Sequence, residues 1–352
     1  MGGDLTIAIL VFLASTGVVI FSGAKLAVYG DALASLTGWG RLFVGGLLLA
    51  LATSLPELST NISAVSLDPP NPELAVGTVL GANMKNMVTL VVVALVFGGK
   101  RFLQRVAPEQ ASLVVVAVTL TGAAVLFGAL KMGGGVWDVG FSSIILIILF
   151  VLGMSWVYKA RPKEGDAGGD APGMTLSRAW VMFGLVSLGV VVAGFFLAWS
   201  ADEIAGITGI ASSTLGILLV AFVTTIPEIS ATVAAARMGA TDLAVGGIYG
   251  SSAFNVSILF YSDIFYREGI LVNQTEPAHI VAGGVAVGLM LAGWLLVLTR
   301  NRITSAVAAT ALVLIAAAYI VGAVVVAAVG GTEDEESSTS KTLAVTNRAI
   351  DE

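Results

Sequence analysis

The sequence predicts an all-α membrane protein, with ten transmembrane helices arranged as two inverted five-helix repeats. Three observations predict it. Of the 352 residues, 57% are hydrophobic and only 11% charged, with a mean hydropathy of +0.96, far from the balance of a soluble domain. Apolar stretches recur along the chain, each near the roughly 20 residues that a helix needs to cross the hydrocarbon core. One short pattern occurs twice, as ATSLPELS at 52–59 and VTTIPEIS at 223–230.

The spans are read at 5–28, 40–66, 73–98, 108–130, 136–158, 178–201, 211–237, 241–262, 278–299 and 303–329. The first lacks a basic n-region and is too long for a cleaved signal peptide, so it is expected to be a retained span. The 42 glycines favour close helix–helix approach in lipid, and the alternation of a membrane β-barrel is absent. Without cysteine, disulfides and thiolate metal sites are excluded. The net charge of −6, from 17 basic and 23 acidic residues, is carried largely by loops and by the tail TEDEESS at 332–338. That balance argues against nucleic acid as a partner and leaves the lipid bilayer and transported ions. The polar tail, 330–352, is expected to be disordered.

Sidedness follows from the basic residues. Eleven of the 17, from Arg41 to Arg302, fall in loops that follow odd-numbered spans, against four, Lys131, Arg267, Lys341 and Arg348, in even loops and ends. By the positive-inside rule the odd loops are cytoplasmic and both termini are outside, in a multi-pass protein of the cell membrane.

The segment VYKARPKEGDAGGDAPGMTLS, 157–177, has linker composition and divides the spans five and five. The expected units are a first repeat at 1–158, a cytoplasmic linker at 159–177 and a second repeat at 178–329. Asp31, Leu36-Thr37-Gly38 and Pro56-Glu57 match Asp202, Ile207-Thr208-Gly209 and Pro227-Glu228 at an offset of 171. Past the loop DPPNPE, Leu74–Gly77 and Asn86 match Leu243–Gly246 and Asn255 at 169. Five is odd, so the second copy enters the membrane from the opposite side. Inverted repeats of this kind build secondary transporters, whose site forms at the midplane where interrupted helices meet.

The motif residues carry the chemistry. A proline inside a helix has no N–H to donate and pushes away the carbonyl one turn earlier, so Pro56 frees the carbonyl near Ala52, and Pro227 the one near Val223. With the hydroxyls of Thr53, Ser54, Thr224 and Thr225 and the carboxylates of Glu57 and Glu228, each half offers a cluster of oxygen donors suited to a hard cation. A proline alone is commonly a mere kink. An intramembrane glutamate left uncompensated costs on the order of 3 kcal/mol, which makes its default reading functional. In the next span of each half, Ala82, Lys85, Asn86 and Thr89 share one helical stripe, as do Ser251, Phe254 and Asn255. Asn86 and Asn255 add amide oxygens, or serve simply as interhelical glue.

The pairs TSLPE…GANMKN and TTIPE…GSSAFN resemble the two alpha-repeats of the calcium:cation antiporter superfamily, above all its prokaryotic sodium/calcium exchangers, at about 50–90 and 221–259. The resemblance implies secondary active cation antiport, with Ca2+ and Na+ as transported ions, H+ as a further candidate, and no resident cofactor. It implies that Glu57, Glu228, Thr53 and Thr224 hold Ca2+, the threonines through their backbone carbonyls. Ser54, Thr225, Ser251, Asn86 and Asn255 would serve Na+ or the shared central position. The chain departs from the family pattern at Ala52, Val223, Ile226 and Ala82, and most sharply at Lys85, beside Asn86. Three readings of Lys85 stand: a tethered cation replacing one Na+, a proton carrier that alters the coupling, or a structural lysine facing another partner. An intramembrane enzyme using the glutamates as acid and base would lack a His or Cys partner, and a channel fits inverted repeats with broken helices less well than a carrier.

Overall fold

The computed structural model describes the backbone of residues 2–66, 68–161, 173–208 and 224–351. Among these residues eight helices are long and apolar enough to cross a membrane, and a bent pair, Gly40–Thr53 and Leu55–Ser66, passes the same test with its halves at 46°. Linker residues 162–172 and the first part of the expected seventh span, through Val223, lie outside the described residues.

Helix α1 (Gly2–Thr37) outruns the predicted 5–28 and carries Lys25 and Asp31 within it. The Lys25 Nζ stands 5.7 Å from the Phe21 ring centroid, one turn away, where the aromatic face attracts the ammonium. Asp31 accepts from both Nε and Nη2 of Arg41, the latter at 3.2 Å, a bidentate pair that ties α1 to α2 (Gly40–Phe43). The turn between them needs φ of +67° at Gly38 and +76° at Gly40, which glycine adopts without a Cβ clash.

The second span is built in pieces: α2, a π-helical segment Val44–Leu49, α3 (Ala50–Thr53) and α4 (Leu55–Ser66). Helix α5 (Pro72–Val96) opens on Asn71, whose side chain accepts from Leu74 N at 2.9 Å. The short α6 (Lys100–Arg105) leads to α7 (Gln110–Leu130). The fifth span begins later than predicted. Residues 135–140 form a hairpin, β1 (Gly135–Val136) with β2 (Val139–Gly140), so α8 runs Phe141–Ala160. Trp137 and Asp138 have φ of +51° and +66°, the two successive positive values that a tight two-residue turn needs and a helix excludes. Then follow α9 (Leu176–Thr208), α10 (Ile226–Arg237), α11 (Thr241–Phe265), a 3-10 turn at Leu271–Gln274, α12 (Pro277–Thr299) and α13 (Ser305–Asp351). Helix α13 includes the tail as far as Asp351. Beyond Gly331 it holds no proline or glycine to stop a helix.

Helix α11 is the axis of the bundle, buried along nearly all its length. The broken second span, α5, α7, α8 and α10 pack around it, and α1 lies along α9 to one side. Leu10, Leu13 and Phe21 on α1 and Leu314, Ile320 and Val321 on α13 are exposed, as suits a face turned to lipid. Glycines set the central crossing. A Cβ on Gly246 would fall 3.1 Å from Leu42 O, and one on Gly250 2.5 Å from Gly46 Cα, so α11 and the π-helical segment meet backbone to backbone. Two aspartates pin α11 at its ends. Asp242 accepts from Ala107 N at 2.8 Å, and the fully buried Asp263 accepts from Gly140 N at 2.8 Å and Leu271 N at 2.7 Å. Asp263 thereby caps the starts of α8 and the 3-10 turn, where unpaired N–H groups favour a negative charge.

Candidate functional site

Both proline–glutamate motifs open a helix, and in the same way. Ser54, between α3 and α4, has φ −93° and ψ +6°; Thr225, preceding α10, has φ −91° and ψ −2°. These two residues are counterparts at the 171 offset. The chain leaves helical geometry just before Leu55-Pro56, because a helix that continued would ask the proline for an N–H it lacks, and Thr225 holds nearly the same backbone angles before Ile226-Pro227. Restarting there puts Glu57 and Glu228 in the first turns of α4 and α10, where helix N-termini favour carboxylates.

Tertiary packing brings these turns together around α11. Glu57 and Glu228 are 3% and 4% exposed. Ser54 Oγ donates to Glu228 Oε1 at 3.4 Å, and the Thr53 and Ser251 hydroxyls lie 3.3 Å apart. Thr53 Oγ1 also donates to Ala50 O at 3.2 Å. Thr225 is buried and Thr224, beside it, half-buried. Lys85, also half-buried, interacts electrostatically with both Glu57 and Glu228. Its repeat counterpart Phe254 instead packs its ring edge-on against Phe150 of α8, centroids 6.0 Å apart.

Asn86 donates to Ser252 Oγ at 3.3 Å, and Asn255 donates to Asn83 Oδ1 at 3.3 Å. These bonds exchange under the 169 offset, which carries Asn83 to Ser252 and Asn86 to Asn255. The same reciprocity holds at the prolines. A Cβ on Gly23 would fall 3.0 Å from Pro227 O, and one on Gly194, its counterpart, 3.1 Å from Pro56 Cγ. Asn83 is a buried polar residue of this network that sequence reasoning missed. Fully buried, it also donates to Thr121 Oγ1 and Ser252 O, each at 3.0 Å, locking α5 to α7 and α11. Its signal was the GAN of GANMKN, one residue past Ala82 and beside the stripe of Ala82, Lys85, Asn86 and Thr89. Asn61, one turn beyond Glu57 on α4, was missed as well; it is fully buried and donates to Glu57 O at 3.0 Å.

Four buried acceptor atoms here lack a donor: Glu57 Oε2, Glu228 Oε2, Asn61 Oδ1 and Asn255 Oδ1. Among the described residues no three His, Cys, Asp or Glu side chains cluster as a metal site. The available chemistry is therefore two carboxylates supplemented by hydroxyl and amide oxygens, a donor set for hard cations and not for transition metals.

A multi-pass helical bundle with two carboxylates buried in the first turns of two helices that meet at its centre defines a membrane carrier for cations. The chain belongs to the sodium/calcium exchanger protein family, whose model matches residues 7–137 and 178–326. It is thus a cation antiporter of the membrane and not an enzyme. It is 26% identical over 253 residues to the inner membrane protein YrbG of Escherichia coli strain K12, covering 68% of this chain and 74% of that protein. Over 245 residues it is 25% identical to the uncharacterized membrane protein MJ0091 of Methanocaldococcus jannaschii, covering 68% and 76%. In fold it resembles a structure of the sodium-calcium exchanger NCX_Mj, with a TM-score of 0.71 at 21% identity over 90% of this chain and 97% of that one.

Proposed function

We propose that the protein is a secondary active Na+/Ca2+ exchanger of the cell membrane, expelling Ca2+ against Na+ influx by alternating access to one midplane site built from both repeats. The observation that carries this reading is the set of four buried acceptor oxygens without donors around Glu57 and Glu228. A buried acceptor left unpaired is costly, and a cation is the partner that would satisfy several acceptors at once. In this reading Glu57 and Glu228, with the Thr53 and Thr224 carbonyls, hold Ca2+. Ser54, Thr225, Ser251, Asn86 and Asn255 serve Na+ or the shared centre. The reciprocal contacts at the glycines, prolines and asparagines support two copies of one unit, and with ten spans the copies are inverted and both termini are outside. A H+-coupled antiporter with the same site is the second reading, favoured by the interaction of Lys85 with both glutamates.

The test is radiolabelled Ca2+ flux in proteoliposomes of the purified protein. Glu57→Gln and Glu228→Gln keep side-chain shape but each remove one of two formal charges, so each is expected to abolish or severely reduce Na+-driven Ca2+ exchange. Near-normal exchange in both variants would falsify the central site. Flux driven by a pH gradient alone would select the second reading.

A further inference from the structure

Basic residues from two distant segments meet at one end of the bundle. Helix α6 is only six residues long and is held by the burial of Phe102 and Leu103, which leaves Arg101, Gln104 and Arg105 exposed. It packs against α12 and α13. Gln104 Nε2 lies 3.5 Å from Asn301 Oδ1, so the loop joining those two helices, with Arg300 and Arg302, runs beside α6. Arg300 is already engaged, its Nη1 donating to Val297 O at 2.6 Å at the end of α12. Lys100, Arg101, Arg105 and Arg302 are different. Among the described residues, ion pairs engage Arg41 and Arg267 but none of these four, and Glu109, four residues past Arg105, pairs with none of them.

Such a cluster has a cost that the fold itself does not relieve. Arg101 and Arg105 stand one turn apart, where like charges on a helix repel. The second copy of the repeat shows that the element does not need them: the 169 offset sets α6 against residues 269–274, GILVNQ, a short turn without a basic residue. Within a turn of the cluster along the chain, Val96 at the end of α5 and Leu298 near the end of α12 are 72% and 61% exposed. Positive charge thus adjoins apolar surface open to lipid, the two chemistries that one anionic amphiphile combines.

We propose that Lys100, Arg101, Arg105 and Arg302 form a binding site for an anionic phospholipid of the surrounding bilayer, with its phosphate on the basic groups and its chains against Val96 and Leu298. Arginine suits the task, since its planar fork can donate two hydrogen bonds to one phosphate. Basic clusters beside membrane helices attract anionic headgroups in the same way. The bound headgroup bridges α6 and the α12–α13 loop, and so ties the end of α5 to the end of α12. Because Gln104 and Asn301 put both segments at one face, the site lies at a membrane surface whichever way the chain is inserted.

The experiment titrates the purified full-length protein in detergent with phosphatidylglycerol or phosphatidylcholine and counts bound lipid by native mass spectrometry. Wild type is expected to retain one phosphatidylglycerol and to bind phosphatidylcholine about tenfold or more weakly. Arg101→Gln/Arg105→Gln should lower the phosphatidylglycerol affinity about 25-fold, about fivefold for each charge removed. Arg302→Gln, on the other segment, should by itself cost about fivefold. Arg101→Lys/Arg105→Lys keeps the charge and should recover most of the affinity, which separates loss of the site from loss of the fold. The control, Lys159→Gln/Arg178→Gln, removes two exposed charges near the end of α8 and the start of α9 and should bind as wild type does. Equal binding of the two lipids overturns the proposal, and so does a double glutamine variant at 101 and 105 that binds as wild type. A control that loses as much overturns it too, because the effect is then one of general surface charge. Displacement of the lipid by an equal concentration of glycerol phosphate would make this a site for a free phosphate ester, and the lipid assignment would fail.

Discussion

Thr53 and Thr224 occupy matching places ahead of the two prolines, yet their surroundings differ. The Thr53 hydroxyl meets Ser251, whereas the residue that would match Ser251 across from Thr224 is Ala82, which has no hydroxyl. Thr53→Ala and Thr224→Ala are both expected to slow exchange by about tenfold or less, the scale of one hydrogen bond of about 1 kcal/mol, because the proposed ligands there are backbone carbonyls. Thr53→Ala should cost the more of the two, since it also strips Ser251 of a neighbour. Initial rates of Ca2+ uptake check both points; losses as large as those of the glutamate variants would make the hydroxyls themselves the ligands. At this scale the sequence was informative about the residues that a local motif marks, Glu57 and Glu228 above all. Asn83 and Asn61 escaped it because their importance lies in partners on other helices and in burial, neither of which a heptad stripe or a proline reveals.

Among the elements, the crossing of α11 with the π-helical segment of the second span depends on glycine. A Cβ on Gly250 would fall 2.5 Å from Gly46 Cα and 2.6 Å from its carbonyl carbon, and backbone on both sides leaves nothing flexible to yield. Gly250→Ala is therefore expected to destabilise the protein by about 1–3 kcal/mol, the usual range for overpacking, and to lower its melting temperature in detergent. Gly284→Ala on α12, where nothing lies within 4 Å of an added Cβ, is the control and should be near neutral. Equal melting temperatures for the two variants would refute the backbone-to-backbone crossing. Nine of the ten spans were legible from apolar length, the bent pair counted as one and the ends off by several residues, while the seventh lies partly outside the described residues. The hairpin at 135–140 was not, because its strands are two residues each and its turn begins at Trp137, a bulky residue that rarely adopts positive φ.

For the whole molecule, the positive-inside asymmetry gives the expectation that both termini lie outside and the 159–177 linker in the cytoplasm. The chain has no cysteine, so single cysteines at Ser177 and Ser338 give a clean test. An impermeant thiol reagent added to intact cells is expected to label position 338 and spare 177; the reverse pattern would invert the topology while leaving the repeat intact. What the sequence by itself determined was the membrane class, the residues that recur at a constant offset and the two proline–glutamate motifs. Each of these is written locally, in apolar run length, in matching residues at a constant offset, and in a proline whose missing N–H acts wherever it stands. The tertiary structure alone decided that Ser54 reaches Glu228 across 174 residues, that Thr53 meets Ser251 across 198, and that Phe254 packs on Phe150. Those pairings follow from how closely α11 crosses the broken span, and that distance is set by glycines on two helices at once, which no single stretch of chain encodes.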